Sequence, residues 1–198
     1  MTTIYLLRHT EYDNPYGIVA GRLPLVLSRK GESDAHKLKK FFSDKNITQI
    51  YSSYVHRCRQ TSEIIADDLI PLDFDLRLLE TFSALQGAKA SNGFSADGYD
   101  YFAHRHVLGG ENYEQIQNRM IDFFESTNWE DGSNYIICSH GDPLYMLYQY
   151  LKGAQRVPDF EHGVEHPGFP NYQEKGSILQ IDIDEQIVLN PVIRVEDI

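Results

Sequence analysis

Long hydrophobic runs are missing from this chain. No stretch approaches the roughly 18 consecutive apolar residues that a membrane-spanning helix needs, so no span is expected. Cysteine is scarce: Cys58 and Cys138 are the only two among 198 residues. Two thiols make no disulfide framework, and the expected setting is a reducing compartment, the cytoplasm. The opening residues MTTIYLLRHT have neither a basic n-region nor a small-residue cleavage site, so no secretory leader is expected. Positive charge is short as well, with 18 Lys and Arg against 29 Asp and Glu and a net charge of −11. That balance argues against general binding to nucleic acid or to an anionic membrane. Two phosphate-handling signatures are absent. There is no GxxxxGK followed by Ser or Thr, so ATP hydrolysis has no support. A cysteine phosphatase needs an arginine six places after its cysteine, and those places hold Ile64 and Leu144.

What is present is an ordinary globular composition, 41% hydrophobic and 24% charged, in a length that suits one domain over residues 1–198. TIYLLRH reads as a first strand, ending in charge. LSRKGESDAHKLKKFFSDKN reads as a helix, with Ser28 as candidate cap and Ala35, Leu38, Phe41 and Phe42 on one face. TQIYSS is a second short strand. HRCRQTSEIIADDL is a helix with Ile64, Ile65 and Leu69 in its inner stripe, and LDFDLRLLE holds a third short extended piece. Residues 82–110 show no clean period and are expected to form an irregular insert or lid. Helical spacing returns at Ile116, Met120, Phe123 and Phe124. NYIICSHG is a continuous apolar run of the kind buried on both faces of a sheet. PLYMLYQYL is a helix, residues 153–176 a long loop, and SILQIDI and VLNPVIRV are closing strands.

Strands alternating with helices predict an α/β domain, a three-layer α/β/α sandwich with a mostly parallel central sheet. Ligands of such sheets bind beyond the carboxyl ends of the strands. The polar groups fall there. Arg8 and His9 follow the first strand; Ser52, Ser53 and Arg57 the second; Glu80 the third; Ser139 and His140 the YIIC strand. Two adjacent cations, Arg8 and His9, repel unless something negative is received between or beside them. A phosphoryl group suits the set. Arginine offers a planar fork of donors and keeps its charge when desolvated. Arg57 also lies near a helix start, where free N–H groups favour an anion. A histidine can be the nucleophile if its attacking nitrogen is neutral and its other nitrogen is fixed, usually by a backbone carbonyl. A carboxyl group such as Glu80 can protonate the leaving oxygen and later activate water.

The segments LLRHTE, YSSYVHRCRQTSEIIA, LLE, GGENYEQIQNRM and SHGDPL resemble, in order, the motifs of the histidine phosphatase superfamily, also called phosphoglycerate mutase-like. The resemblance covers roughly residues 4–183 and implies the phosphoglycerate mutase-like fold. By it, His9 would be the phosphorylated nucleophile. Arg8, Arg57 and His140 would form the phosphate pocket with His9, His140 being protonated, and Glu80 would be the proton donor. Gly21 would open the pocket wall. The sequence departs from the family's usual pattern at three places. Thr10 replaces the usual glycine and is expected to add a side chain near the pocket. Pro15 stands where mutases usually carry an asparagine, with Asn14 one place early, and Cys58 replaces an alanine.

The expected activity is that of a metal-independent phosphomonoesterase of the histidine acid type. It would need no cofactor and would act on a small phosphorylated metabolite through phosphohistidine. A cofactor-dependent phosphoglycerate mutase is the alternative, and a non-catalytic binder of phosphorylated ligands a more distant one. Arg105, in the insert with His104 and His106, is a candidate to meet a negative group of the substrate. His162 and His166 have metal-like spacing but no supporting cysteines, so no metal site is expected. Oligomeric state is not readable from these residues.

Overall fold

The computed structural model describes residues 1–89, 109–153 and 172–198. Six strands form one sheet in the order β3-β2-β4-β1-β5-β6. They are β1 (Thr2–Arg8), β2 (Ile47–Ser52), β3 (Leu72–Phe74), β4 (Asn134–Ser139), β5 (Ile178–Ile183) and β6 (Ile187–Ile193). The pairings β1–β4, β2–β4 and β2–β3 are parallel. β5 is antiparallel to both β1 and β6. It is therefore the one strand that runs against the rest, and the sheet is mixed but mostly parallel, as expected.

Alternation along β1 separates the two faces. Ile4 and Leu6 join Ile137 and Leu179 under α3 (Tyr113–Ser126) and α4 (Gly141–Leu151). Tyr5 and Leu7 join Ile136 and Cys138 under α1 (Arg29–Phe42) and α2 (His56–Ala66). The result is the three-layer sandwich. β1 and β4 lie at the centre with helices over both faces, which is why their sequences are apolar almost throughout.

Two of the helices, α1 and α3, start at a side-chain cap. Ser28 caps α1, its hydroxyl accepting from the Gly31 N–H at 3.1 Å. Asn112 and Gln115 form a capping box on α3. Ala35, Leu38 and Phe42 give α1 its buried stripe. Ile116, Met120, Phe123 and Phe124 do the same for α3. One expectation for α2 is corrected. The helix stops at Ala66 because Asp67 turns left-handed, with φ 49°. Leu69 thus lies past the helix and is 82% exposed, while Ile65 is buried.

The insert expected over 82–110 is pinned where it is described. Ser83 bridges to Gly110, and Lys89 to Ile18. Residues 90–108, Arg105 with them, and 154–171 lie outside the described residues. Among the described residues no helix is long and apolar enough to cross a membrane.

Candidate active site

Parallel register brings the polar residues together. Arg8 is level with Ser139 across β1 and β4, so His9 and His140 leave the sheet side by side. The His9 N–H donates to the Ser139 carbonyl at 3.1 Å, and the two imidazoles lie 5.2 Å apart between centroids. β2 is level with β4 as well, and the Ser53 N–H donates to the Cys138 carbonyl at 2.9 Å. The chain then turns into α2 and carries Arg57 inward. The helices α2 and α4 both begin here, and neither first turn has a side-chain cap.

His9 is 1% exposed and its tautomer is fixed from both sides. Nδ1 lies 2.7 Å from the Thr10 carbonyl, which can only accept, so Nδ1 carries the proton. Nε2 lies 3.0 Å from Arg57 Nε, which can only donate, so Nε2 keeps its lone pair. Burial holds this imidazole well below its ordinary pKa, and the Arg57 and Arg8 charges push the same way. The ring is therefore a neutral base aimed at the guanidinium that an anion would share.

Arg57 is fully buried and makes most of the contacts. Its Nη2 donates to the Gly21 carbonyl at 3.0 Å, to Glu80 Oε2 at 3.1 Å and to His140 Nδ1 at 3.0 Å. Its Nη1 is buried with no partner among the described residues, and so is Arg8 Nε. Two unpaired guanidinium donors are costly to bury unless a ligand completes them. Arg8 is otherwise held by the Gln173 carbonyl at 2.7 Å, and its guanidinium lies 5.4 Å over the Tyr172 ring.

Glu80 is 17% exposed at its side chain. Oε1 accepts from the Thr81 N–H at 2.9 Å and Oε2 from Arg57. Burial raises its pKa, and the nearby Asp142 charge adds to this against the pull of Arg57. Its backbone carbonyl accepts from Arg22 Nε at 2.7 Å, and Arg22 is in turn paired with Glu111 at 2.9 Å.

One expectation is corrected here, that of Thr10, and the charge expected on His140 is opposed by the protein's own groups. Burial lowers its pKa well below the ordinary value, and Arg57 lowers it further by pointing an N–H at Nδ1. The other nitrogen, Nε2, is 2.9 Å from the Ser53 hydroxyl. Thr10 does not present its side chain to the pocket. Its hydroxyl is 3.2 Å from that of Thr61, which ties the end of β1 to α2. Gly21 does belong to the wall, through its carbonyl on Arg57. It has φ +45°, and a Cβ there would stand 2.7 Å from Gln86 Oε1. Asn14 closes its own turn with two bonds to the Ile18 backbone. Cys58 and Cys138 are buried free thiols.

Several groups around the site had no signal in the sequence reading. Tyr12 lies 5.1 Å from Arg57 Cζ and 5.5 Å from the His9 ring. Lys175 Nζ is 4.3 Å from the centre of the same Tyr12 ring. Desolvation lowers the Lys175 pKa, and the Arg8 and Arg57 charges lower it further. The segment that carries it is anchored on β1. The Gly176 N–H reaches the Arg8 and His9 carbonyls at 3.1 and 3.0 Å, and the Arg8 N–H reaches the Ser177 carbonyl at 3.1 Å. Among the described residues no cluster of three or more His, Cys, Asp or Glu side chains could hold a metal ion.

Comparison with known proteins gives the same grouping. The family model described as "Histidine phosphatase superfamily (branch 1)" matches residues 4–165. A probable phosphoglycerate mutase, GpmB, of Erwinia tasmaniensis is 27% identical over 163 residues, which is 77% of this chain and 76% of that protein. The solved structure of Bacillus stearothermophilus YhfR superposes with a TM-score of 0.79 at 26% identity, covering 96% of this chain and 95% of that one. A putative alpha-ribazole-5'-P phosphatase from Escherichia coli shares the fold, with a TM-score of 0.76 at 19% identity and 98% of each chain covered.

Proposed function

The chain belongs to the histidine phosphatase superfamily, and on that premise we propose that it is a metal-independent phosphomonoesterase acting on a small phosphorylated metabolite through a phosphohistidine. The observation that carries this reading is the pair of buried, unpartnered donors, Arg8 Nε and Arg57 Nη1, the second on the guanidinium bonded to a neutral His9. They are donors in search of acceptor oxygens, beside a nitrogen lone pair able to attack phosphorus.

His9 Nε2 attacks in line and the bond to the leaving oxygen breaks. Arg8 and Arg57 take the non-bridging oxygens, and Arg57 Nε–H passes from His9 to the phosphoryl group. Glu80, whose buried carboxyl favours the protonated form, gives its proton to the departing alkoxide. Glu80 then takes a proton from water as that water attacks phosphohistidine, which releases phosphate and restores His9. Incoming phosphoryl charge favours the His140 imidazolium, so His140 gains its proton with the substrate and not before it. Two buried free thiols support the cytoplasm as its compartment.

The relatives called probable phosphoglycerate mutases put a second reading beside this one, in which the phosphoryl group returns to a hydroxyl instead of to water. One assay separates the two. Phosphate release is measured from a panel of phosphorylated metabolites in EDTA, with His9→Ala as control. A fast hit lost in His9→Ala supports the phosphatase. Isomerisation of a phosphoglycerate without phosphate release supports the mutase. Release that survives in His9→Ala refutes the nucleophile.

A further inference from the structure

Asp142 is the second residue of α4 and 8% exposed. An aspartate in a first turn is favoured by the helix dipole, and nothing more would be needed if its oxygens faced water. They face two side chains instead. Oδ2 accepts from the Thr81 hydroxyl at 3.1 Å and Oδ1 from the Tyr172 hydroxyl at 3.0 Å. Each of those residues touches a group of the site. The Thr81 N–H holds Glu80 Oε1 at 2.9 Å, and the Tyr172 ring lies under the Arg8 guanidinium. Gly141 leaves room for this arrangement, since a Cβ there would stand 2.0 Å from the Tyr172 hydroxyl oxygen. One carboxylate thus joins the carboxyl on one side of the pocket to the arginine on the other.

We propose that Asp142 is a positioning residue for the reaction, holding Glu80 through Thr81 and Arg8 through Tyr172. This rests on the reading of Glu80 as proton donor. Asp142 bonds to neither the phosphoryl group nor the leaving oxygen. It acts by geometry and by its charge. The groups facing Glu80 are Arg57 from α2, Arg8 from the end of β1, Arg22 on its carbonyl, and His140 and Asp142 from the start of α4. Arg57, Arg8 and the Thr81 N–H favour the carboxylate; burial and Asp142 favour the acid. Without the Asp142 charge, burial alone opposes those three, and Glu80 gives up its proton at lower pH.

Asp142→Asn keeps the size and removes the charge. The test is kcat against pH for an alkyl and an aryl phosphate, with Glu80→Gln and Thr81→Ser alongside. Aryl leaving groups depart with little help from an acid. Asp142→Asn is expected to lose about tenfold or more on the alkyl phosphate and about twofold on the aryl one. The basic limb of its kcat profile should move to lower pH, and Thr81→Ser, which keeps the hydroxyl, should lose less on the alkyl phosphate than Thr81→Val. Should Asp142→Asn fail to fold, Thr81→Val cuts the same link from the other end and is read by the same alkyl-selective loss. Equal losses on the two substrates with the basic limb unmoved overturn the proposal while Glu80→Gln still discriminates between them. A Glu80→Gln variant that does not discriminate overturns the proton-donor reading, and this one with it.

Discussion

Acid should weaken this fold through the two buried imidazoles. His9 and His140 are held well below the ordinary histidine value, first by burial and then by Arg57. In the unfolded chain both take up a proton as pH falls through about 6.5, while the native rings stay neutral. The unfolded state then binds more protons, so stability falls as pH falls. From about pH 7.5 to about pH 5.5 each ring removes about 1.4 kcal/mol, and the two together about 2.8 kcal/mol. Glu80 works in the other direction. Its folded pKa is raised, so it adds stability that is full below the unfolded value and is lost as pH rises through the folded one. It therefore offsets part of the loss. The measurement is urea unfolding at the two pH values in phosphate-free buffer, because bound phosphate would itself stabilise the native state. His9→Gln and His140→Gln should each reduce the pH-dependent drop by about 1.4 kcal/mol, whatever their baseline stability. Drops as large as in the wild type would mean that neither ring is held neutral, and the tautomer argument for His9 would fall with that result.

Lys175→Met should raise KM for phosphate monoesters about fivefold and leave kcat within about twofold, since the ammonium adds field to the pocket without touching His9. Steady-state kinetics at low salt check this, and an unchanged KM would remove Lys175 from the site. Gly31→Ala would ordinarily gain about 0.5–1 kcal/mol inside a helix. Here the new Cβ would stand 1.8 Å from the Glu11 carbonyl oxygen, so a loss of about 1–3 kcal/mol is expected in thermal unfolding. A gain would contradict the packing of α1 on the chain after β1.

The sequence reading reached the groups whose position follows from strand order. Arg8, His9 and His140 stand at the ends of two apolar runs, and parallel register alone makes them neighbours. Arg57 is the second residue of the helix that follows the next strand. What escaped depends on direction in space. Thr10 is two residues past a strand end, and nothing local says that its hydroxyl turns to Thr61 and away from the pocket. The His140 pKa is lowered first by burial and then by an arginine nitrogen at 3.0 Å, neither of which a spacing rule expresses. Leu69 fits the helical period, but a left-handed Asp67 ends the helix first. Tyr172 and Lys175 reach the site from a loop with no periodic or motif signal, more than 160 positions after Arg8, as the Arg8 bond to the Gln173 carbonyl illustrates.

That last contact has a consequence for how the protein is made. β1 precedes the other five strands of this sheet along the chain, yet its neighbours in the sheet are β4 and β5. Arg8 is held from one side by register with Ser139 and from the other by the carbonyls of Gln173 and Ser177. A nascent chain that has exposed only α1, β2 and α2 has the nucleophile but none of the walls that orient it. Such a chain must carry an apolar strand unpaired until β4 has emerged, and half-paired until β5 follows. Pairings this distant in sequence are slow to close, and an unpaired strand edge invites aggregation. Phosphate protection should therefore appear late and all at once, when β5 docks, and binding of inorganic phosphate would time the final step of folding.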